Sequence, residues 1–131
     1  MNAQQKQALV YCRMSSVAQA LRGNGLAVQR SRCIAYARAR NYKIVETFCD
    51  TLESDQLERP GFNAMLAFLK RNRQAGLTVL MDDFTRLARE ISTQVQLCIA
   101  IEEAGGEIDA PGFDLKDEFD FGAAEAQEIE E

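Results

Sequence analysis

Ala8-Leu9-Val10-Tyr11-Cys12-Arg13-Met14-Ser15-Ser16 sets the pattern for the whole chain. Ala8 to Tyr11 is a short apolar run that reads as a strand, and the sequence turns polar and glycine-containing beyond it. The strand delivers a guanidinium at Arg13 and a hydroxyl at Ser15. Two residues apart on an extended backbone, both side chains leave the same side. A fixed cation beside a hydroxyl is what a serine nucleophile needs to attack an anion such as a phosphodiester. The competing reading of a Ser-Ser pair after a strand is turn or helix-cap chemistry.

Outward from this strand, elements alternate. Ser16 to Gly25 is a polar loop; its glycines make no phosphate-binding loop, because no Gly-Lys-Ser/Thr follows. Leu26, Cys33, Ile34 and Ala37 recur at helical spacing, which predicts a helix over about 26–40 whose other face carries Gln29, Arg30, Arg32 and Arg38. Asn41 stops it. Tyr42 to Cys49 reads as a second strand, Ile44, Glu46 and Phe48 alternating with Val45 and Thr47, and Asp50 sits at its end. After the acidic loop 51–58, Pro60 opens a helix with Phe62, Met65, Leu66 and Leu69 on one face, broken by Gly76. Leu77 to Met81 is a continuous apolar run, the signature of a central strand buried on both faces. Asp82-Asp83 closes it, as turn caps or as functional acids. Arg86 and Arg89, at i and i+3, are predicted to share a helical face. A helix with Ile91, Val95, Cys98 and Ile99 facing inward follows, capped by Gly105-Gly106. Glu107 to Ala110 reads as a last strand and Pro111-Gly112 as a turn.

With 131 residues the chain forms one domain able to bury a core. No apolar run approaches the roughly 20 residues that span a bilayer, and no signal-peptide layout precedes the first strand, so no membrane association and a cytoplasmic location are expected. The four cysteines, Cys12, Cys33, Cys49 and Cys98, form no C-x-x-C pair, which favours reduced, mostly buried thiols. Histidine is absent, which excludes a Ser-His-Asp triad and the commonest general base. The net charge of −5 hides an asymmetry: residues 102–131 hold twelve of the twenty acids and one lysine, a balance of −11, whereas residues 1–101 carry +6. A basic body beside an acidic tail can meet phosphates, with salt-sensitive DNA binding as the expected consequence; solvated helix faces are the plainer reading.

Strand–helix alternation with short connectors predicts an α/β domain, three layers with a mostly parallel sheet of four to five strands flanked by helices. In such sheets function gathers at the carboxyl ends of the strands, and Arg13, Ser15, Asp50, Asp82, Asp83, Arg86 and Arg89 all fall there. One alternative is a magnesium-dependent phosphotransfer or phosphoacceptor domain using Asp50, Asp82 and Asp83, although Arg13 stands where another carboxylate is expected. Another is a non-catalytic, DNA-bound dimerisation module.

Taken in order, the motifs resemble the catalytic domain of serine recombinases, the resolvase, invertase and large serine integrase and transposase family. Tyr11-Cys12-Arg13-Met14-Ser15-Ser16 is similar to the family's Tyr-x-Arg-apolar-Ser-Ser/Thr signature, Glu58-Arg59-Pro60-Gly61-Phe62 to its Arg-Pro-Gly-Phe helix start, and Arg86-Leu87-Ala88-Arg89 to its Arg-Leu-x-Arg element. Gln19, Gln29 and Asp50 stand where the family has Gln, Gln and Asp. The resemblance spans about residues 8–112. It implies Ser15 as nucleophile in site-specific DNA recombination, a 5′-phosphoserine DNA intermediate and a free 3′-hydroxyl. It further implies that Arg13, Arg86 and Arg89 surround the phosphate with Arg59 as a fourth cation, that Tyr11, Gln19, Gln29, Asp50 and Asp83 support them, and that no ATP, metal or other cofactor is needed. Implied partners are DNA and further copies of the chain, as homodimer and homotetramer. Three departures stand out: Thr85 replaces the Asp that often precedes the Arg-Leu-x-Arg element, with Asp83 a candidate substitute; the loop after Asp50 lacks a Ser-Gly pair; and 1–131 reads as a catalytic domain whose acidic segment from about 117 begins a truncated helix, with no DNA-binding domain in the chain.

Overall fold

The computed structural model describes residues 5–14, 25–51 and 59–110. Ser15 and Gln19, the 52–58 loop, the Pro111-Gly112 turn and the acidic segment from 117 lie outside them. The strands are β1 (Lys6–Met14), β2 (Tyr42–Thr51), β3 (Thr78–Leu80) and β4 (Glu107–Asp109), and the helices α1 (Leu26–Arg40), α2 (Pro60–Arg71) and α3 (Ile91–Glu103). Short 3-10 turns occupy Arg73–Ala75 and Phe84–Arg86. The strands form one parallel sheet in the order β2-β1-β3-β4. Every strand therefore presents its carboxyl end to the same edge.

Two cores lie on the two faces of the sheet, because successive side chains of a strand point to opposite sides. Ala8, Val10, Cys12 and Leu80 meet Cys33 and Ala37 of α1. Leu9, Tyr11, Val79 and Ile108 meet Phe62, Met65 and Leu69 of α2 and Cys98 and Ile101 of α3. β3 is buried throughout, and Leu77 and Met81 flank it equally buried, so the apolar run is the central strand expected of it. Asn41 ends α1 in the left-handed conformation, φ 60°. At the end of α3, Gly105 at φ 99° lets the Gly106 N–H return to the Ile101 carbonyl at 2.9 Å.

Three sequence expectations change. Strict alternation in β2 is interrupted: Ala8 pairs with Ile44 but Leu9 with Glu46, so Val45 is an extra residue. This bulge turns Val45 and Phe48 to the α2/α3 core while Ile44 joins the α1 core. In α3 the inward stripe is Cys98 and Ile101, whereas Ile91, Val95 and Ile99 are exposed. They recur at i, i+4, i+8 and make a real apolar stripe, but α3 is rotated to turn Cys98 and Ile101 to the sheet. In α1, Gln29 is fully buried rather than on the outer face, for the reason given below.

All four cysteines are free; Cys49 is exposed and the other three buried. Burial pushes the Cys33 thiol up to about 12 and the Cys98 thiol up to about 11, from an ordinary 9.0. Both are acids raised in the folded state, so the stability they hold is fully present below pH 9.0 and lost as pH rises through about 12. Thermal unfolding followed across that window is expected to show a falling midpoint, and a Cys33→Ala, Cys98→Ala double variant a shallower fall. Equal slopes would exclude these thiols as its source.

Candidate active site

The carboxyl edge is built from β1, β2 and the segment after β3. Arg13 stands near the end of β1, paired in register with Asp50 of β2, and is only 4% exposed. β1 runs on to Met14 beyond its last pairing with β3, Val10 with Leu80. Gln29 serves this projecting end: the Arg13 backbone N–H donates to Gln29 Oε1 at 2.9 Å, and Gln29 Nε2 donates to the Arg13 carbonyl at 2.8 Å. One planar amide thus replaces a neighbouring strand, and these two bonds offset the cost of burying it. That is why Gln29 faces inward among apolar residues.

Asp50 ties β2 to the start of α2. Its carboxylate accepts from Tyr11 Oη at 2.7 Å, from the Gly61 N–H at 2.7 Å and from the Phe62 N–H at 2.8 Å. Two of these donors belong to the first turn of a helix, which has no internal partners for them and favours negative charge. Gly61 is required by closeness: a Cβ there would lie 2.2 Å from the Cys49 carbonyl oxygen. Burial, then the hydrogen bond and charge of Asp50, push the Tyr11 phenol well above its ordinary range, with Arg59 opposing. Tyr11 also packs edge-on against Phe62, ring centroids 5.6 Å apart.

Arg13 and Arg59 both reach the segment after β3. Arg13 Nη2 donates to the Thr85 carbonyl at 3.1 Å. Arg59, the residue before α2, is 2% exposed, and its Nη1 donates to the Leu87 carbonyl. Two guanidinium groups from different elements therefore brace the backbone on either side of Arg86. Arg86 itself is held by Asp82, Nε to Oδ1 at 2.6 Å and Nη2 to Oδ2 at 3.2 Å. Arg32 of α1 meets the same carboxylate, Nη1 to Oδ2 at 3.2 Å. Gln94 of α3 adds a bond from Nε2 to the Ala88 carbonyl at 2.7 Å.

Arg86 and Arg89 do not share a helical face, because the 3-10 turn ends at Arg86 and Arg89 lies in an irregular bend before α3. Asp83 is exposed and caps that turn, its Oδ1 accepting from the Thr85 N–H at 2.8 Å; the cap reading of this acid holds. From sequence Asp82 reads as a turn cap or a functional acid, not as the partner of Arg86 and Arg32, and Arg32 and Gln94 carry no site assignment. An acid four residues before an arginine was the one available signal; the partnership with Arg32 joins residues fifty positions apart. Asp50, Asp82 and Asp83, the carboxylates of the magnesium alternative, are engaged by separate partners. Among the described residues no three His, Cys, Asp or Glu side chains are grouped to hold a metal ion, and no helix is long and apolar enough to cross a membrane.

A parallel α/β domain with arginines at the carboxyl edge of its sheet carries positive charge where such domains place their sites. The family model "Resolvase, N terminal domain" matches residues 8–120. The chain belongs to the resolvase family: it is a DNA recombinase of the serine type, acting in site-specific recombination with DNA as its partner. Its fold is similar to that of the N-terminal catalytic domain of TP901-1 integrase, at 22% identity and a TM-score of 0.73, covering 95% of this chain and 96% of that one. It is similar also to a resolvase family site-specific recombinase from Streptococcus pneumoniae, at 21% identity and a TM-score of 0.65, covering 96% and 90%. A third similar fold is the catalytic domain of ISC1926 TnpA, an IS607-like serine recombinase, at 24% identity and a TM-score of 0.65, covering 87% and 75%. No curated protein sequence matches the chain.

Proposed function

We propose that Ser15 is the nucleophile of a strand-transfer reaction in which arginines carry the electrostatic work. The Ser15 hydroxyl gives up its proton as Oγ bonds to phosphorus, the bond from phosphorus to the deoxyribose O3′ breaks, and the leaving O3′ takes up a proton. One phosphate ester replaces another, so no energy source is consumed and the reverse reaction reseals a strand. The observation that carries this reading is the bond from Arg13 to the Thr85 carbonyl. It joins the strand that leads directly into Ser15 to the segment bearing Arg86 and Arg89.

Charge on the phosphoryl oxygens rises as the new bond forms. Arg13, Arg86 and Arg89 supply permanent positive charge, and arginine stabilisation of such a transition state is worth roughly a thousandfold or more. Arg59, Tyr11, Asp50, Gln29 and Asp83 support the frame, and Gln19 lies in the segment that follows the nucleophile. Exchange between two duplexes requires four cuts, so the active assembly is a tetramer built from dimers.

The test uses the full-length protein and DNA bearing its recombination site, in buffer containing EDTA. A covalent adduct is expected, with the DNA 5′ phosphate attached to the peptide containing Ser15 and a free 3′-hydroxyl on the other side of the break. Attachment at another residue, a 3′ linkage or a requirement for a divalent ion would each overturn the reading.

A further inference from the structure

We propose that Asp82 is a positioning residue for strand transfer, aiming Arg86, and that the same carboxylate seats Arg32 as a further contact for DNA phosphate. This rests on the reading of Ser15 and its arginines above. Asp82 follows β3 by two residues, and its side chain is 1% exposed. A carboxylate taken that far from water needs strong partners. It has two, Arg86 through Nε and Nη2 and Arg32 through Nη1. Gripping both Nε and Nη2 fixes the plane of the Arg86 guanidinium as well as its place. The Arg86 backbone is fixed in turn by its N–H to the Asp83 carbonyl at 2.9 Å. Two of the five guanidinium N–H donors are used on Asp82, and the others lie on the remaining edges of the group.

Two guanidinium groups on one carboxylate leave a net charge of +1, so the trio still attracts an anion. The Arg32 side chain is 56% exposed while its charged end is held beside Arg86. It extends the cationic edge from the segment after β3 onto α1, where a DNA backbone passing the site can meet it. Thr85, directly before Arg86, carries no charge, so Asp82 is the acid that orders this arginine.

Full-length variants separate these roles. Asp82→Asn, nearly the same shape without the charge, is expected to slow single-turnover cleavage at saturating DNA by about 100-fold, a condition that separates this loss from any change in DNA binding. Asp82→Glu, which keeps the charge, is expected to recover at least about tenfold of that loss. In an Arg86→Lys background, Asp82→Asn is expected to add less than about threefold, since a residue acting through Arg86 has little left to act on. Arg32→Gln is expected to reduce the salt slope of DNA binding by about 1 while cleavage at saturation changes little. Cleavage at the wild-type rate by Asp82→Asn, an equal loss in both backgrounds, or an unchanged salt slope for Arg32→Gln would overturn the proposal. An adduct formed by Ser15→Ala would instead defeat the reading of the nucleophile, so the two failures are distinguishable.

Discussion

Ser15→Ala in the full-length protein leaves no covalent protein–DNA adduct and no recombinant product, a fall of at least about 10⁴-fold. A methyl group cannot form a phosphate ester, and the chain contains no histidine to recruit water as a substitute nucleophile. DNA binding survives, because Arg13, Arg86 and Arg89 keep their charge and the cation–phosphate attraction does not depend on the hydroxyl. The result to look for is a retarded DNA complex that is fully reversible on denaturation. Ser16→Ala is the matched control and retains the adduct. An adduct in Ser15→Ala, or its loss in Ser16→Ala with Ser15 intact, would move the nucleophile elsewhere.

Asp50→Ala destabilises the domain by about 3–5 kcal/mol. The carboxylate is 5% exposed and accepts three hydrogen bonds, from the Tyr11 phenol and the Gly61 and Phe62 N–H groups. Alanine leaves all three donors inside the structure with nothing to accept them, at about 1–3 kcal/mol each, and removes a negative charge from a helix start. Against a typical domain stability of about 5–15 kcal/mol, that is a large share. Chemical denaturation of the two proteins side by side checks it, and a difference below about 1 kcal/mol would mean that Asp50 does not hold α2 to β2. Gly61→Ala tests the same joint sterically, because its Cβ would meet the Cys49 backbone oxygen and force β2 and α2 apart.

Most of the fold was legible because apolar periodicity is a local property. The run from Leu77 to Met81 is the best candidate for a strand covered on both sides, as it proves to be, and Pro60 and Asn41 mark helix ends through their own backbone preferences. The misread faces were those where another element decides. In α3, Ile91, Val95 and Ile99 form as good a stripe as the one that is buried, and rotation of the helix on the sheet chose between them. For Gln29 the polar side chain suggested solvent, but the end of β1 runs beyond its last pairing with β3 and takes an amide on that side. Val45 reversed the phase of β2 through a bulge, which alternation alone does not reveal.

Which residue types stand at the strand ends, and in what order, belongs to the sequence itself: Arg13, Asp50, Arg86 and Arg89 follow strands whose ends a parallel α/β domain must expose on one edge, and Arg59 is implied by the resemblance of its helix start to the family's. How those groups divide their labour is a tertiary matter. Arg13 and Arg59 are buried braces on the Thr85 and Leu87 carbonyls, and Asp82 gathers Arg86 and Arg32. The reason is physical: a guanidinium reaches several ångströms from its own backbone, so its partner is set by what the fold brings within that reach, across 72 residues for Arg13 and Thr85. No spacing rule within one helix or strand contains that information.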